Sequence, residues 1–369
     1  MISRIFVSIF TAVVFVSDAY AYGPIGHQIV GAIADARLAN TPAAAKIATL
    51  LDGLSLEKAS VIPDEIKGWD KRGADDPRVF HYSARPALDA QLRDFWRANQ
   101  PTHERNSPMP SHHWFHYTDV PVLDPEKYAD GKTGRTPWDI VHMTRFCVRV
   151  LRGEEPEKNP RSITKPVAVV LLAHYIGDLH EPLHVGAEYF DQTGHPSDPD
   201  KGGEAIEDQG GNTLLLKLKT PLAITGNSSS KLHAFWDNDA VMANLPALPP
   251  ATPKEERRAK IDAARAALVQ ELATHEPTAW RLPAGVNPAD YAERWADDIL
   301  PIAREAHQRL AFENVTPQQQ EDGVVAVGVA AEKDAADHRS YGEWAARTTR
   351  DELHKAGWRL ADLLQSALK

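Results

Sequence analysis

The sequence lacks several features on which specialised proteins depend. Among 369 residues there is one cysteine, Cys147, which can form neither an internal disulfide nor a CxxC zinc or redox site, and which we expect in the core. The 41 lysines and arginines are outnumbered by 51 aspartates and glutamates. This net charge of −10 argues against a basic surface that holds nucleic acid through many phosphate contacts. A phosphate-containing substrate remains compatible with it, because bound metal ions supply positive charge locally.

The first 21 residues are predicted to be a secretory signal peptide. Arg4 precedes an apolar run over residues 5–16, and a small-x-small cleavage site ends at Ala21. The run is too short to cross a bilayer, which takes about 20 apolar residues, and no second long apolar stretch follows. We therefore expect a secreted or periplasmic protein with no membrane contact. Cleavage after Ala21 frees the α-amino group of Tyr22, which can ligate a metal, whereas the alternative cleavage after Ala19 leaves two residues in front of it.

Residues 22–369 are predicted to form one all-α domain with loop insertions. Apolar residues recur at helical spacing, and only residues 212–219 and part of 79–82 suggest extended structure. No loop-rich stretch separates two self-sufficient apolar runs, which favours a single catalytic domain. Helices are predicted over residues 43–51, 137–151, 165–179, 255–274, 288–312 and 340–368.

The strongest local signal is a His-x-x-x-Asp pair, His174 and Asp178, followed by His184. On a helix, residues i and i+4 lie on one face, so both side chains of the pair point the same way. Residues 167–172 are apolar, and burying an imidazole and a carboxylate beside them is costly unless something pairs them. Pro182 ends or kinks the helix and lets His184 return toward the same point. Taken alone, the pair fits either a metal site or a His–Asp hydrogen bond that stabilises the core.

A second copy of the pattern, His233 and Asp237, favours the metal. Three histidines and two carboxylates on predicted buried faces exceed what hydrogen bonding in a core usually requires. Neutral imidazole and carboxylate, without thiolate, suit Zn²⁺ at sites that stay open for catalysis. Water bound at such a centre has a pKa of roughly 7, which provides a nucleophile at neutral pH. We therefore predict a hydrolytic site with several metal ions.

These motifs resemble those of the S1/P1 nucleases. The order and the flanking residues agree at Tyr22-Gly-Pro-Ile-Gly-His27, Pro63-Asp64-Glu-Ile, Phe115-His116-Tyr-Thr-Asp-Val, His174-Tyr-Ile-Gly-Asp178-Leu-His-Glu-Pro-Leu-His184, Gly210-Gly-Asn212, Leu232-His233-Ala-Phe-Trp-Asp237 and Ala356-Gly-Trp-Arg-Leu-Ala361. The resemblance spans nearly the whole chain after residue 21. It implies the all-α fold of the phospholipase C/P1 nuclease type and three zinc ions per chain.

The resemblance also implies which residues hold these ions. The ligands would be Asp64, His116 and His174 for the first ion, His27 with the α-amino nitrogen and carbonyl oxygen of Tyr22 for the second, and His184, His233 and Asp237 for the third. Asp178 would bridge the first two ions. Asp64 and His116 follow from the resemblance alone, because in the sequence each looks like an ordinary loop or helix-end residue.

The implied reaction is zinc-dependent hydrolysis of single-stranded DNA and RNA to 5′-phosphate products, with 3′-nucleotidase activity. A hydroxide between the two ions bridged by Asp178 would attack phosphorus, and Asp64 would orient or deprotonate it. The third ion would stabilise the leaving oxygen. A site that takes a single strand usually stacks a base on an aromatic ring. The predicted substrate contacts are Asn212, Phe115 and Tyr117, with Phe190 as a further aromatic, and no obligate protein partner is implied.

Other histidines compete with this assignment. His81 lies closer to Asp64 in the sequence than His116 does, but His116 fits better because Tyr-Thr-Asp-Val-Pro follows it. His180 is expected to face away from the ions, in a supporting or surface position. The adjacent pair at 112 and 113 is expected to lie in a loop without a metal.

Two other functions remain open. A zinc phospholipase C shares the three-ion plan, but the short Tyr22–His27 interval and the aspartate at 237, where that family has glutamate, favour the nuclease. A helical protein that uses zinc only to fold is an alternative from another class. Structural zinc sites are normally closed by four ligands, whereas the sets implied here leave room for water and substrate.

Overall fold

The computed structural model describes residues 22–100, 109–156, 158–220, 229–249, 251–320 and 323–369. The predicted signal peptide lies outside the described residues. Within these ranges, no helix combines the length and the apolar character needed to cross a membrane.

Helices carry most of the described structure. The α-helices are α1 (Pro24–Leu38), α2 (Pro42–Leu50), α3 (Leu56–Ala59), α4 (Ile62–Glu65), α5 (Pro86–Ala98), α6 (Ile140–Arg152), α7 (Lys165–Asp178), α8 (Leu232–Ala234), α9 (Ala240–Met242), α10 (Lys254–Thr274), α11 (Tyr291–Gln308) and α12 (Tyr341–Ala367). A π-helical turn, Phe235–Asp239, joins α8 to α9, and short 3₁₀ helices lie at Ile66–Trp69, His112–Phe115, Pro182–His184, Pro199–Lys201 and Pro288–Asp290. The predicted all-α class is therefore confirmed, with small sheets added.

Side-chain caps explain why several helices begin where they do. A cap oxygen accepts a hydrogen bond from a backbone N–H that has no partner inside the first turn. The caps of this kind are Thr41 before α2, Ser55 before α3, Asp139 before α6, Thr164 before α7 and Ser340 before α12. At α12 the bond is reciprocal, because the Glu343 side chain accepts from the backbone N–H of Ser340.

The central element is α7. All its residues from Val167 to Asp178 are buried, and α1, α3, α5, α6 and α12 contact it. A helix that is apolar on all sides is stable only when other elements surround it. Cys147 on α6 is buried in the same core, as the sequence predicted.

A four-stranded sheet flanks the helices in the order β6-β5-β8-β7. Its strands are β5 (Leu214–Lys217), β6 (Ser229–Lys231), β7 (Leu310–Gln320) and β8 (Gly323–Glu332), while β1 (Val120–Pro121), β2 (Gly186–Ala187), β3 (Tyr189–Phe190) and β4 (Ile206–Glu207) form two smaller pairs. The extended segment predicted at 212–219 is therefore present as β5. The pairing of β5 with β8 is parallel, and that of β7 with β8 is antiparallel.

Four local predictions were wrong or incomplete. The helix predicted over 288–312 ends at Gln308, and the next residues enter β7, because pairing with β8 satisfies their backbone groups in an extended form. Residues 79–82 form no strand. His112 and His113 begin a 3₁₀ helix rather than lying in a loop. The helices α1 and α5 were not among those predicted.

Candidate metal centre

The site is built on the last turn of α7, which carries His174 and Asp178. Both side chains are completely buried, and the His174 Nε2 atom lies 3.2 Å from Asp178 Oδ2. The Nδ1–H group of His174 donates to the carbonyl oxygen of Ser60 at 2.6 Å. With Nδ1 engaged in that hydrogen bond, Nε2 faces the Asp178 carboxylate and is the ring atom available to a metal.

His27 reaches the same carboxylate from α1. Its Nε2 atom is 3.1 Å from Asp178 Oδ1, and its ring stacks on that of His174 with 3.8 Å between ring centroids. The approach depends on Gly177, since a Cβ atom at that position would lie 2.8 Å from His27 Nδ1. The two oxygens of Asp178 therefore face different histidines, an arrangement suited to a carboxylate that bridges two cations.

Asp64 and His116 complete this first cluster. Asp64 lies on α4 and is buried, and His116 follows the 3₁₀ helix His112–Phe115. The Nδ1 atom of His116 lies 3.0 Å from Asp178 Oδ2 and 2.9 Å from His174 Nε2. The Asp64 Oδ1 atom lies 3.7 Å from His174 Nε2.

The competing residue His81 is not part of this cluster. Its Nε2 atom lies 3.0 Å from the backbone oxygen of Asp76. The structure therefore brings His116, and not His81, to Asp64.

A second cluster contains His184, His233 and Asp237. The Nδ1 atoms of His184 and His233 bond the backbone oxygens of His116 and Gly210 at 2.8 and 2.7 Å, so both Nε2 atoms turn inward. These atoms lie 3.9 and 3.4 Å from oxygens of Asp237.

Two residues at these clusters were missed in the sequence. Glu181 is completely buried and has a carboxylate oxygen within 4.8 Å of the ligand nitrogens of His184 and His233. Its position, three residues after Asp178 and three before His184, could have suggested it as a further ligand. Lys67 donates from Nζ to Asp64 Oδ1 at 2.7 Å. The three-residue spacing of the two residues could have predicted this ion pair from the sequence.

The buried polar atoms of the two clusters are largely unsatisfied. Atoms that make no hydrogen bond to any described residue include His27 Nδ1 and Nε2, Asp178 Oδ1, both carboxylate oxygens of Glu181, His184 Nε2 and both carboxylate oxygens of Asp237. A buried group without a partner costs roughly 1–3 kcal/mol, and more when it is charged. Cations held between these nitrogens and oxygens would remove that cost, and the imidazole and carboxylate donors are those that zinc binds.

The pKa shifts of three histidines agree with this use, whereas at His174 the carboxylates of Asp178 and Asp64 outweigh the opposing effect of burial and raise the pKa. Burial lowers the pKa of His27 and His184, and it lowers the pKa of His233 to about 3. These rings are therefore neutral near pH 7, which is the form that binds metals. Burial raises the pKa of Glu181 and of Asp237, because each carboxylate loses water and faces other negative charges.

Tyr22 lies beside the second cluster, and its side chain is completely buried. The Tyr22 hydroxyl donates to the backbone oxygen of His180 at 2.7 Å, and the N–H of Gly23 donates to the backbone oxygen of Asp237 at 2.7 Å. Burial and the negative charges of Glu181, Glu352, Asp237 and Asp178 raise the pKa of the Tyr22 hydroxyl. Ligation through the amino and carbonyl groups of Tyr22 stays a prediction.

The expected substrate contacts differ in their exposure. Phe115 and Phe190 are completely buried, so neither ring offers a face to a nucleobase. Tyr117 and Asn212 are partly exposed. Asn212 directly follows the loop whose Gly210 carbonyl bonds His233.

His180 faces away from the clusters, as expected, but it is buried rather than on the surface. Its Nδ1 atom bonds the backbone oxygen of Ile176 at 2.7 Å, and its Nε2 atom lies 3.0 Å from a nitrogen of Arg359. This pair links the turn that follows α7 to α12.

Comparisons with known proteins show to which family the chain belongs. A family model described as S1/P1 Nuclease matches residues 22–369. Endonuclease 4 of Arabidopsis thaliana is 24% identical over 233 residues, which cover 62% of this chain and 58% of the plant protein, so the match spans less than two thirds of that relative. Because the family match covers nearly all of the chain, this protein belongs to the S1/P1 nuclease family.

Proposed function

We propose that the protein is a zinc-dependent phosphodiesterase that hydrolyses single-stranded DNA and RNA to 5′-phosphate products and also acts as a 3′-nucleotidase. One observation carries the proposal: the Asp178 carboxylate is buried between His27 on one oxygen and His116 and His174 on the other. Membership of the S1/P1 nuclease family supports the same reaction class.

Three zinc ions fit the donors available. The proposed ligands are Asp64, His116, His174 and Asp178 for the first ion, Asp178, His27 and the backbone of Tyr22 for the second, and Glu181, His184, His233 and Asp237 for the third. The Glu181 carboxylate departs from the set implied by resemblance. It gives the third ion two carboxylates, which would balance its double positive charge.

Zinc bound here would supply Lewis acidity and lower the pKa of coordinated water. The residues of the chain position the reaction. Lys67 and the nearby histidines outweigh the opposing effect of burial and lower the pKa of Asp64, so this carboxylate stays ionised and accepts hydrogen bonds. We propose that Asp64 orients the attacking water and that the ammonium group of Lys67 faces the substrate phosphate.

Substrate contacts are proposed at the partly exposed residues. Tyr117 would stack a base and Asn212 would bond a polar edge, whereas the buried Phe115 and Phe190 stabilise the core. Replacing Tyr117 by Leu is expected to raise KM for single-stranded DNA severalfold with little change in zinc content. An unchanged KM would remove Tyr117 from the site.

The deciding experiment is hydrolysis of single-stranded DNA by protein that begins at Tyr22, with and without a zinc chelator. We expect chelator-sensitive release of nucleotides with 5′-phosphates, restored by added zinc. His116→Gln should abolish it, while the matched His81→Gln should keep it. Absence of hydrolysis by zinc-loaded protein would reject the proposal, and cleavage of phosphatidylcholine in its place would identify a phospholipase.

A further inference from the structure

A third group of potential ligands lies outside the two clusters, at Asp70, His112 and His113. Asp70 follows the 3₁₀ helix Ile66–Trp69, and the two histidines begin the 3₁₀ helix His112–Phe115. Adjacent residues usually direct their side chains to different sides of the backbone. Here the tight 3₁₀ turn, capped by Ser111 accepting from the N–H of His113, turns both rings toward the same carboxylate.

The spacing between Asp70 and His112 is that of a metal site, whereas His113 is in direct contact with Asp70 and would move slightly apart to admit an ion. The Nε2 atom of His112 is 3.5 Å from Asp70 Oδ1, and the Nε2 atom of His113 contacts Asp70 Oδ2. All three ligand atoms lie within 4.8 Å of one another. Zinc binds nitrogen and oxygen at about 2.0–2.2 Å in a tetrahedron, which places neighbouring donors roughly 3.4 Å apart.

His112 supplies an independent indication of a ligand. The residue is 1% exposed, and its Nε2 atom faces Asp70 Oδ1 at 3.5 Å, too far for a strong hydrogen bond. The surroundings hold this ring in place, since the N–H of His112 donates to the Asn99 backbone oxygen at 3.0 Å and Phe95 contacts its edge. A buried, positioned nitrogen that faces a carboxylate at the limit of hydrogen-bond distance leaves room for a cation to bind both groups.

The Asp70 carboxylate is also oriented as a metal ligand would be. Trp96 on α5 donates from Nε1 to Asp70 Oδ1 at 2.7 Å, which orients the carboxylate as outer hydrogen bonds orient metal ligands. The side chain of His113 is 39% exposed, so an ion and a water in a fourth position can reach the site.

We propose that Asp70, His112 and His113 bind a divalent transition-metal ion, zinc in the first instance, at a site separate from the two clusters of the candidate metal centre. The sequence suggested no metal for these two histidines. The donor set of two imidazoles and one carboxylate leaves one position for water.

The position of this site gives it a structural role. Asp70 lies six residues after Asp64, and the two histidines come shortly before His116. An ion at Asp70 would therefore hold together the two 3₁₀-helical segments next to Asp64 and His116. The helix α5, inserted between them, contributes the Trp96 hydrogen bond to Asp70.

The test counts zinc in the mature full-length protein. Wild type and His113→Gln are stripped of metal, reloaded at a series of buffered zinc concentrations, and analysed for zinc per chain. We expect wild type to hold one equivalent more than His113→Gln at micromolar free zinc. With cobalt in place of zinc, the visible absorption difference between the two proteins should show the bands of one nitrogen- and oxygen-bound ion.

The matched control is His142→Gln. His142 is 37% exposed and lies 3.0 Å from Asp139, but none of the residues that the structure describes completes a metal site there, so its zinc count should equal that of wild type. Asp70→Asn provides a second variant at the proposed site, and circular dichroism checks that both remain folded.

Equal zinc counts in wild type, His113→Gln and Asp70→Asn would overturn the proposal, as would an extra equivalent that appears only at millimolar zinc. The outcome is independent of the proposed function. If the two main clusters bind fewer than three ions, the total count falls in every protein, but the difference of one equivalent remains.

Discussion

The Nε2 atom of His27 lies 3.1 Å from Oδ1 of Asp178, so the first helix of the described chain and the central helix α7 meet at one buried carboxylate. The other oxygen of Asp178 faces His174 and His116 at 3.2 and 3.0 Å. A carboxylate with histidines on both sides and one oxygen without a hydrogen bond is costly to bury alone. The arrangement is stable when cations share it.

Replacing Asp178 by Asn is expected to remove at least one zinc ion and to lower kcat/KM by roughly 10³-fold or more, since one carboxylate serves two ions. Metal analysis and hydrolysis of single-stranded DNA measure both effects. Asp208→Asn is the matched control, because Asp208 is also completely buried beside a histidine, at 3.2 Å from His307. Full zinc content and activity in Asp178→Asn would disprove the bridging role.

Replacing Glu181 by Gln is expected to weaken zinc binding about 10–100-fold at one ion and to leave the other ions bound, because it removes one charged donor from the second cluster at constant volume. Competition with a chromophoric chelator measures the affinity. Glu188→Gln removes a second buried carboxylate that lies outside both clusters, and it should not change zinc binding. Identical affinities in the two variants would exclude Glu181 as a ligand.

The N-terminus offers a test of Tyr22. Two residues added before Tyr22 are expected to lower zinc content by up to one ion and to reduce activity, because the α-amino group of Tyr22 becomes an amide that cannot ligate. The same two residues added after Lys369 serve as the control. If both extended proteins match the protein that begins at Tyr22, its amino group is not a ligand.

Glu188 is expected to make stability depend on pH. Burial raises the pKa of its carboxyl to about 7 against the opposing effect of His307, with Asp208 and Asp198 adding to the rise. The folded protein therefore binds a proton more tightly than the unfolded chain, and this stabilisation, complete below about pH 4.5, is lost as the pH rises toward 7.

The free energy of unfolding of wild type relative to Glu188→Gln should therefore fall by about 3 kcal/mol between pH 4.5 and pH 7.5. Urea unfolding of both proteins across this range gives the difference. A difference that does not change with pH would show that Glu188 titrates normally in the folded protein.

Much of the helical framework could be predicted from local signals. The cap at Thr164 and the apolar run after it place α7, and the four-residue spacing of His174 and Asp178 then puts both on one face. The strands β7 and β8 escaped prediction, although the valines at 324, 325, 327 and 329 favour extended structure. Their pairing links distant segments, which no local pattern reports.

The proposed metal ligands also fall into pairs that local spacing predicts and contacts that depend on tertiary structure. His174 with Asp178, and His233 with Asp237, are neighbours through helix geometry, and their spacing alone makes them candidates. The meeting of Asp64 with His116, of Glu181 with His233, and of Asp70 with the adjacent histidines at 112 and 113 depends on how helices and loops pack. Spacing along one helix sets the direction of its side chains, but the distance between separate segments follows from burying their apolar faces together, and that is a property of the whole fold.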